Sequence, residues 1–196
     1  MREVRVGAER LDRWLAGFAE RHGEVQTSQT AEEVHLTGAD GAQARIGVPF
    51  PPLSGDLVAH VLRRRKVGVL LVRRGGYAAG VFDGTELVAS KVGSSYVQGA
   101  TKAGGWSQQR FARRRANQAS AAFAEAADAA ARVLAHAELD ALVAGGDRAA
   151  VRAVLADPRL AHLTPVPPWL EVKDPRLRVL AATPEQFRAV RIRLDP

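Results

Sequence analysis

The chain has 196 residues, 46% of them hydrophobic, no cysteine and a formal charge of +7. That is room for one ordinary domain or two small ones, with enough apolar content to exclude global disorder. Without thiols there are no disulfides, cysteine nucleophiles or thiolate metal sites. A charged stretch at 1–7 and the lack of any apolar run near ~18–20 residues predict a cytoplasmic chain with neither leader nor membrane span.

Residues 3–23 read as a short strand and an amphipathic helix, with Leu11, Trp14, Leu15 and Phe18 at i, i+3, i+4, i+7 and Gly23 as the stop. Residues 25–48 predict two or three strands turned at "GADG" (38–41). "PFPPL" (49–53) is a stiff connector, which sets a boundary between a small α+β module, 1–52, and a second domain, 53–196. "SGDLVAHVLRRR" then predicts a helix capped by Ser54 or Asp56. "VGVLLV", "YAAGVF" and "ELVAS" predict an antiparallel meander with turns at Gly75-Gly76 and Asp83-Gly84.

A long alanine-rich helix follows to about His136, its apolar face running through Phe111, Ala119, Ala122, Phe123, Ala126, Ala130, Val133 and Leu134. "LDALVAGG" reads as a buried strand ending in glycines, and "DRAAVRAVLADPRL" as a helix capped by Asp147. "VPPWLEV" and "RAVRIRL" read as strands, with a helical turn at "DPRLRVL" whose Asp174 and Pro175 suit N-cap and N1. The sum is a mixed α/β fold.

Charge is uneven along this layout. From His60 to Arg115 twelve Arg and Lys residues face two acids, Asp83 and Glu86, so this stretch carries +10 and the remainder −3. A basic central third is the footprint of a polyphosphate partner. Two-metal hydrolysis needs several converging carboxylates, and that third has only those two. The five histidines (His22, His35, His60, His136, His162) are scattered without metal-ligand spacing, so no metal is expected. "GWSQQ" lacks the second glycine of a G-x-S-x-G elbow. The glycine pairs at 75–76 and 145–146 match neither a Walker loop nor G-x-G-x-x-G.

What remains is "KAGGWSQQRFARRR", 102–115. Gly104-Gly105 gives the backbone conformations closed to other residues, and Ser107 is the expected N-cap of the helix after it. On a helical wheel Arg110, Arg113 and Arg114 point away from the apolar face and Arg115 falls nearer to it. Together with Lys102 these cations suit bidentate phosphate contacts, and Arg63, Arg64 and Arg65 form a second basic cluster at a helix end.

Gly105-Trp106-Ser107-Gln108, preceded by Gly104 and followed by a basic helix, resembles the GxxQ loop of the release-factor-like peptidyl-tRNA hydrolases, the actinobacterial branch most closely. These are relatives of the archaeal and eukaryotic release factors, whose catalytic loop reads Gly-Gly-Gln. The resemblance covers about residues 55–195, in which meander, loop and long helix follow in the family's order. It implies an RNase H-like release-factor catalytic core and hydrolysis of peptidyl-tRNA on stalled ribosomal complexes, without metal or cofactor. Gln108 and Gly105 would be catalytic, with Gly104, Trp106, Ser107 and Gln109 supporting them. The implied partners are peptidyl-tRNA and the large ribosomal subunit with its rRNA, engaged by a monomer. Trp106 and Ser107 depart from the release factors, which have no residues between the second glycine and the glutamine. Two other readings stay open: cleavage of the tRNA near its 3′ end, and a non-catalytic RNA-binding module.

Overall fold

The computed structural model describes residues 2–73, 75–94 and 107–195, by backbone alone from 107 to 119. The chain forms two compact units, 1–64 with 184–196, and 65–183.

The first unit is a five-stranded antiparallel sheet in the order β1-β9-β4-β3-β2, covered on one face by helix. Its strands are β1 (Arg2–Val6), β2 (Val25–Gln29), β3 (Glu33–Gly38), β4 (Gln43–Gly47) and β9 (Val190–Asp195). Alternation of burial along β3 sends Val34 and Leu36 inward, as a period of two requires. They meet Ala44, Ile46, Val190 and Ile192 beneath Leu11 and Phe18 of α1 (Leu11–His22). In α2 (Leu57–Leu62) the N-cap is Asp56, whose carboxylate accepts from Ala59 N–H at 2.9 Å. Ser54 instead gives its backbone N–H to Nδ1 of His60 at 3.1 Å. Nε2 of that buried ring therefore donates to the Pro49 carbonyl at 2.9 Å.

Here the structure departs from the sequence reading. β9, expected in the second domain, lies between β1 and β4, with Ile192 level with Val4 and Ile46. Val190 and Ile192 fill the core there, both fully buried. The units accordingly divide at 64/65 and 183/184, where the sequence suggested 52/53.

The second unit carries a four-stranded sheet, order β7-β6-β5-β8. The expected meander is β5 (Lys66–Arg73), β6 (Gly76–Asp83) and β7 (Glu86–Gly93). β8 (Ala141–Gly146) adds on parallel to β5. β5 and β6 are buried almost end to end, which is why they read as continuous apolar runs. One face packs Leu70, Val72, Tyr77, Ala79 and Val81 against α3 (Ser107–Leu134) and α4 (Arg148–Leu155). Within the described part of α3 the buried positions are Ala126, Ala127, Ala129, Ala130, Ala131 and Leu134. Small side chains let the helix lie close to the sheet. Asp147 caps α4 as expected, accepting from Ala149 N–H at 2.8 Å and Ala150 N–H at 3.2 Å.

Two local expectations fail in this unit. "VPPWLEV" is no strand. Pro167 and Pro168 supply no N–H for a ladder, and only single bridges survive, Leu142 with Pro165 and Gly145 with Leu170. Asp174 does not cap the next helix: α5 (Leu177–Ala181) begins after Arg176, and Asp174 pairs with the Arg176 side chain. A four-residue helix α6 (Pro184–Phe187) then leads into β9. Among the described residues no helix is long and apolar enough to cross a membrane.

Candidate functional site

The basic glycine-glutamine segment connects β7 to α3. Lys102, Gly104, Gly105 and Trp106 lie outside the described residues. Ser107, Gln108 and Gln109 form the first turn of α3, so the helix starts at Ser107 itself, one place earlier than an N-cap at that residue would give. Arg110, Arg113, Arg114 and Arg115 follow on the same helix, all within the stretch described by backbone alone. Arg63, Arg64 and Arg65 join the end of α2 to β5, with Arg63 and Arg64 exposed and Arg65 half-buried. They straddle the division between the two units.

Sheet topology fixes where the segment departs. β5 and β7 each pair antiparallel with β6, and β8 runs parallel to β5. The carboxyl ends of β5, β7 and β8 therefore share one edge of the sheet. Gly146, Val72, Tyr77 and Gly93 stand in a single row across it. In open α/β sheets this edge is where ligand sites are built.

Near the departure point α3 is tied to the sheet by interactions the sequence did not reveal. The Tyr77 hydroxyl, on β6, donates to the Glu125 carboxylate of α3 at 3.0 Å. Burial, and next the Glu125 carboxylate, push the Tyr77 phenol above its usual range. The tyrosine ring lies over Gly93, where a Cβ would come 2.7 Å from Cε1 and nearer still to Cζ and Oη. Only glycine leaves room for it. The one faint signal in the sequence was a tyrosine, with its polar hydroxyl, inside an otherwise apolar strand.

Charge also sorts by unit. Residues 65–183 hold seventeen Arg and Lys against ten acids, and the other unit holds eleven of each. The entire +7 belongs to the unit that carries the segment. Among the described residues no three His, Asp or Glu side chains converge as metal ligands do.

No curated protein matches the chain. A family model does, over residues 65–193: the Actinobacteria/chloroflexi VLRF1 release factor. That span takes in the meander, the glycine-glutamine segment, α3, β8, α4 and most of β9. The match extends over well over half of the sequence, and the chain belongs to the Actinobacteria/chloroflexi VLRF1 release factor family.

Proposed function

We propose that the protein hydrolyses the ester of peptidyl-tRNA on stalled ribosomal complexes, using Gln108 in the first turn of α3, just after a loop freed by Gly104 and Gly105. The observation that carries this reading is the membership of a release-factor family, with "GGWSQ" falling inside the matched span. Its place in the chain between β7, which ends at the carboxyl edge of the sheet, and α3 supports it further. On this reading unit 65–183 is a release-factor catalytic core of RNase H-like type.

The chemistry suits neutral side chains. An aminoacyl ester is already activated, so the slow step needs a placed water and relief of charge on the carbonyl oxygen. The Gln108 amide carbonyl orients a water whose oxygen attacks the ester carbon. The bond from that carbon to the ribose oxygen breaks, and the ribose oxygen takes up a proton. Backbone N–H groups of the glycine loop stabilise the oxyanion; one such donor is typically worth ~10²–10³ in rate. Proximity of the held water contributes further. Trp106 shapes the loop, and Ser107 and Gln109 flank Gln108 at the start of α3. Lys102, Arg110, Arg113, Arg114 and Arg115 hold RNA phosphates, and Arg63, Arg64 and Arg65 add a second basic cluster that does the same.

Gln108→Ala tests the reading on peptidyl-tRNA bound to large ribosomal subunits. Release should be lost while binding persists, and the wild-type product should be intact deacylated tRNA. A shortened tRNA would assign the chain to 3′-end cleavage. No release by the wild type on any ribosomal complex would leave a non-catalytic RNA-binding module.

A further inference from the structure

A cleft of about 460 Å³ opens between α4 and the segment 163–169, wholly within unit 65–183. Val151, Leu155, Leu163 and Trp169 supply its apolar wall, and Arg148 and Arg152 line it with positive charge. No acidic side chain lines it. The Arg148 guanidinium lies over the Trp169 ring at 4.3 Å from the centroid. The indole N–H donates to the Gly146 carbonyl at 3.2 Å, so the ring is tethered to the end of β8. The glycine pair makes this possible. A Cβ on Gly145 would sit 2.6 Å from the Leu170 carbonyl oxygen, and Gly146 turns at a φ of +90° that L side chains avoid.

The two cleft arginines are one helical turn apart on α4. Both are exposed, and among the described residues neither has a carboxylate partner. Arg159, just beyond the same helix, is held by both Asp157 and Asp128. The charges of Arg148 and Arg152 are left uncompensated beside an aromatic ring in the unit that bears the whole net charge. We propose that this cleft is a second RNA-binding site, which takes an unpaired nucleotide.

The match is chemical. A nucleobase offers a flat face to the indole or to the guanidinium laid over it, and its phosphate offers two oxygens to an arginine fork. An acidic peptide would satisfy the guanidiniums and leave the stack of Arg148 on Trp169 without a further planar partner. The Arg148–Trp169 end of the cleft also stands at the sheet edge from which the glycine-glutamine segment departs. Gly146 and Gly93 are the ends of the four-strand row, three strand spacings or about 14 Å apart. One single strand of a few nucleotides spans that distance. The choice of RNA among polyanions rests on the function proposed above; the cleft does not involve Gln108.

The test is a titration of a fluorescein-labelled single-stranded RNA decamer with the full chain, read by anisotropy at fixed salt. Trp169→Ala, Arg148→Gln and Arg152→Gln should each weaken binding, Trp169→Ala by about five- to 150-fold for the loss of one base stack. Trp169→Phe, which keeps a ring, should retain most of the affinity. A decamer carrying 4-thiouridine should crosslink under ultraviolet light to segment 163–169. The titration reads binding without any hydrolysis, so failure of hydrolysis and failure of the cleft read out separately. Arg152 is exposed, so its variant folds and keeps the test open if Trp169→Ala does not. Unchanged affinity in all three variants together with crosslinks elsewhere would overturn the proposal. So would displacement of the decamer by hexaglutamate at equal concentration, which would assign the cleft to a protein partner.

Discussion

Replacing Gly93 by alanine should cost the protein about 2–4 kcal/mol, and the cost should vanish when Tyr77 is removed. The new methyl would stand 2.7 Å from Tyr77 Cε1 and closer to Cζ and Oη, where carbon neighbours are comfortable only near ~3.5–4.0 Å. Tyr77 is 5% exposed and belongs to the core that includes Ala126 and Ala130, so the ring cannot swing aside without opening that core. Forcing an extra methyl into such packing typically costs ~1–3 kcal/mol. Shifting the ring also breaks its bond to Glu125, which at 3.0 Å joins β6 to α3. Since Glu125 is exposed, that loss falls below the ~1.5–3 kcal/mol of a charged partner, to about 1 kcal/mol.

The measurement is urea unfolding of wild type, Gly93→Ala, Tyr77→Ala and the double variant. A shift of midpoint at unchanged slope reports the stability difference. Tyr77→Ala alone empties a core site and should cost ~3–5 kcal/mol, as other aromatic truncations do. The double variant should be no less stable than Tyr77→Ala, because the clash then has no second partner. Non-additivity of that size is well beyond the ~0.5 kcal/mol seen for independent sites. Additive costs, or a Gly93→Ala protein as stable as the wild type, would refute the claim that this glycine exists to admit the tyrosine.

Asp147→Ala removes the two N-cap bonds of α4 and should lower stability by about 1–2 kcal/mol in the same urea assay; Asp147→Ser should recover most of it. The Asp157 carboxyl is held down to about 2, first by the Arg159 side chain and next by the Arg159 backbone N–H. A depressed carboxylate adds stability above its ordinary value near 4, and that stability disappears as pH falls through 2. Asp157→Asn should therefore flatten the fall in stability between about pH 4 and pH 2, and an unaltered acid limb would remove the pair from the account. Reversing Arg113 and Arg114 to Glu should weaken RNA binding and lower the slope of log affinity against log salt by ~0.7–0.9 for each phosphate no longer neutralised.

Much of this architecture could be read from the sequence because its determinants are local. The i, i+3, i+4, i+7 series from Leu11 to Phe18 became α1, and the alternation with tight turns over 66–93 became three paired strands. Asp56 and Asp147 cap helices because capping depends on a side chain and the next turn alone. The misses share the opposite property. "RAVRIRL" specified a strand, but its neighbours are more than 140 residues away in the chain, β1 at one side and β4 at the other. Nothing in a period of two names a partner at that distance. The glycines at 145–146 were legible as a strand end, while the cause at Gly145, the close passage of Leu170, depends on a connection that runs through two prolines. The charge asymmetry of the site was plain from counting. Tyr77 with Gly93, and Arg148 with Trp169, were not, because sheet register and a loop's return bring each pair together.

The row from Gly146 to Gly93 ties these misses to the functional reading. Strand ends with parallel sense collect on one edge, and whatever leaves them starts from a rigid base. From that edge β7 sends off the segment containing Gln108, and β8 sends off Asp147, Arg148 and the helix that bears Arg152. Both departures require glycine, at Gly93 for the overlying tyrosine and at Gly146 for the turn and the backbone beside it. Those two positions carry no chemistry of their own. Their role is to let a buried ring on one side and a tethered indole on the other lie against the same sheet edge. A substitution there should change the placement of arginines and glutamine alike without touching a charge.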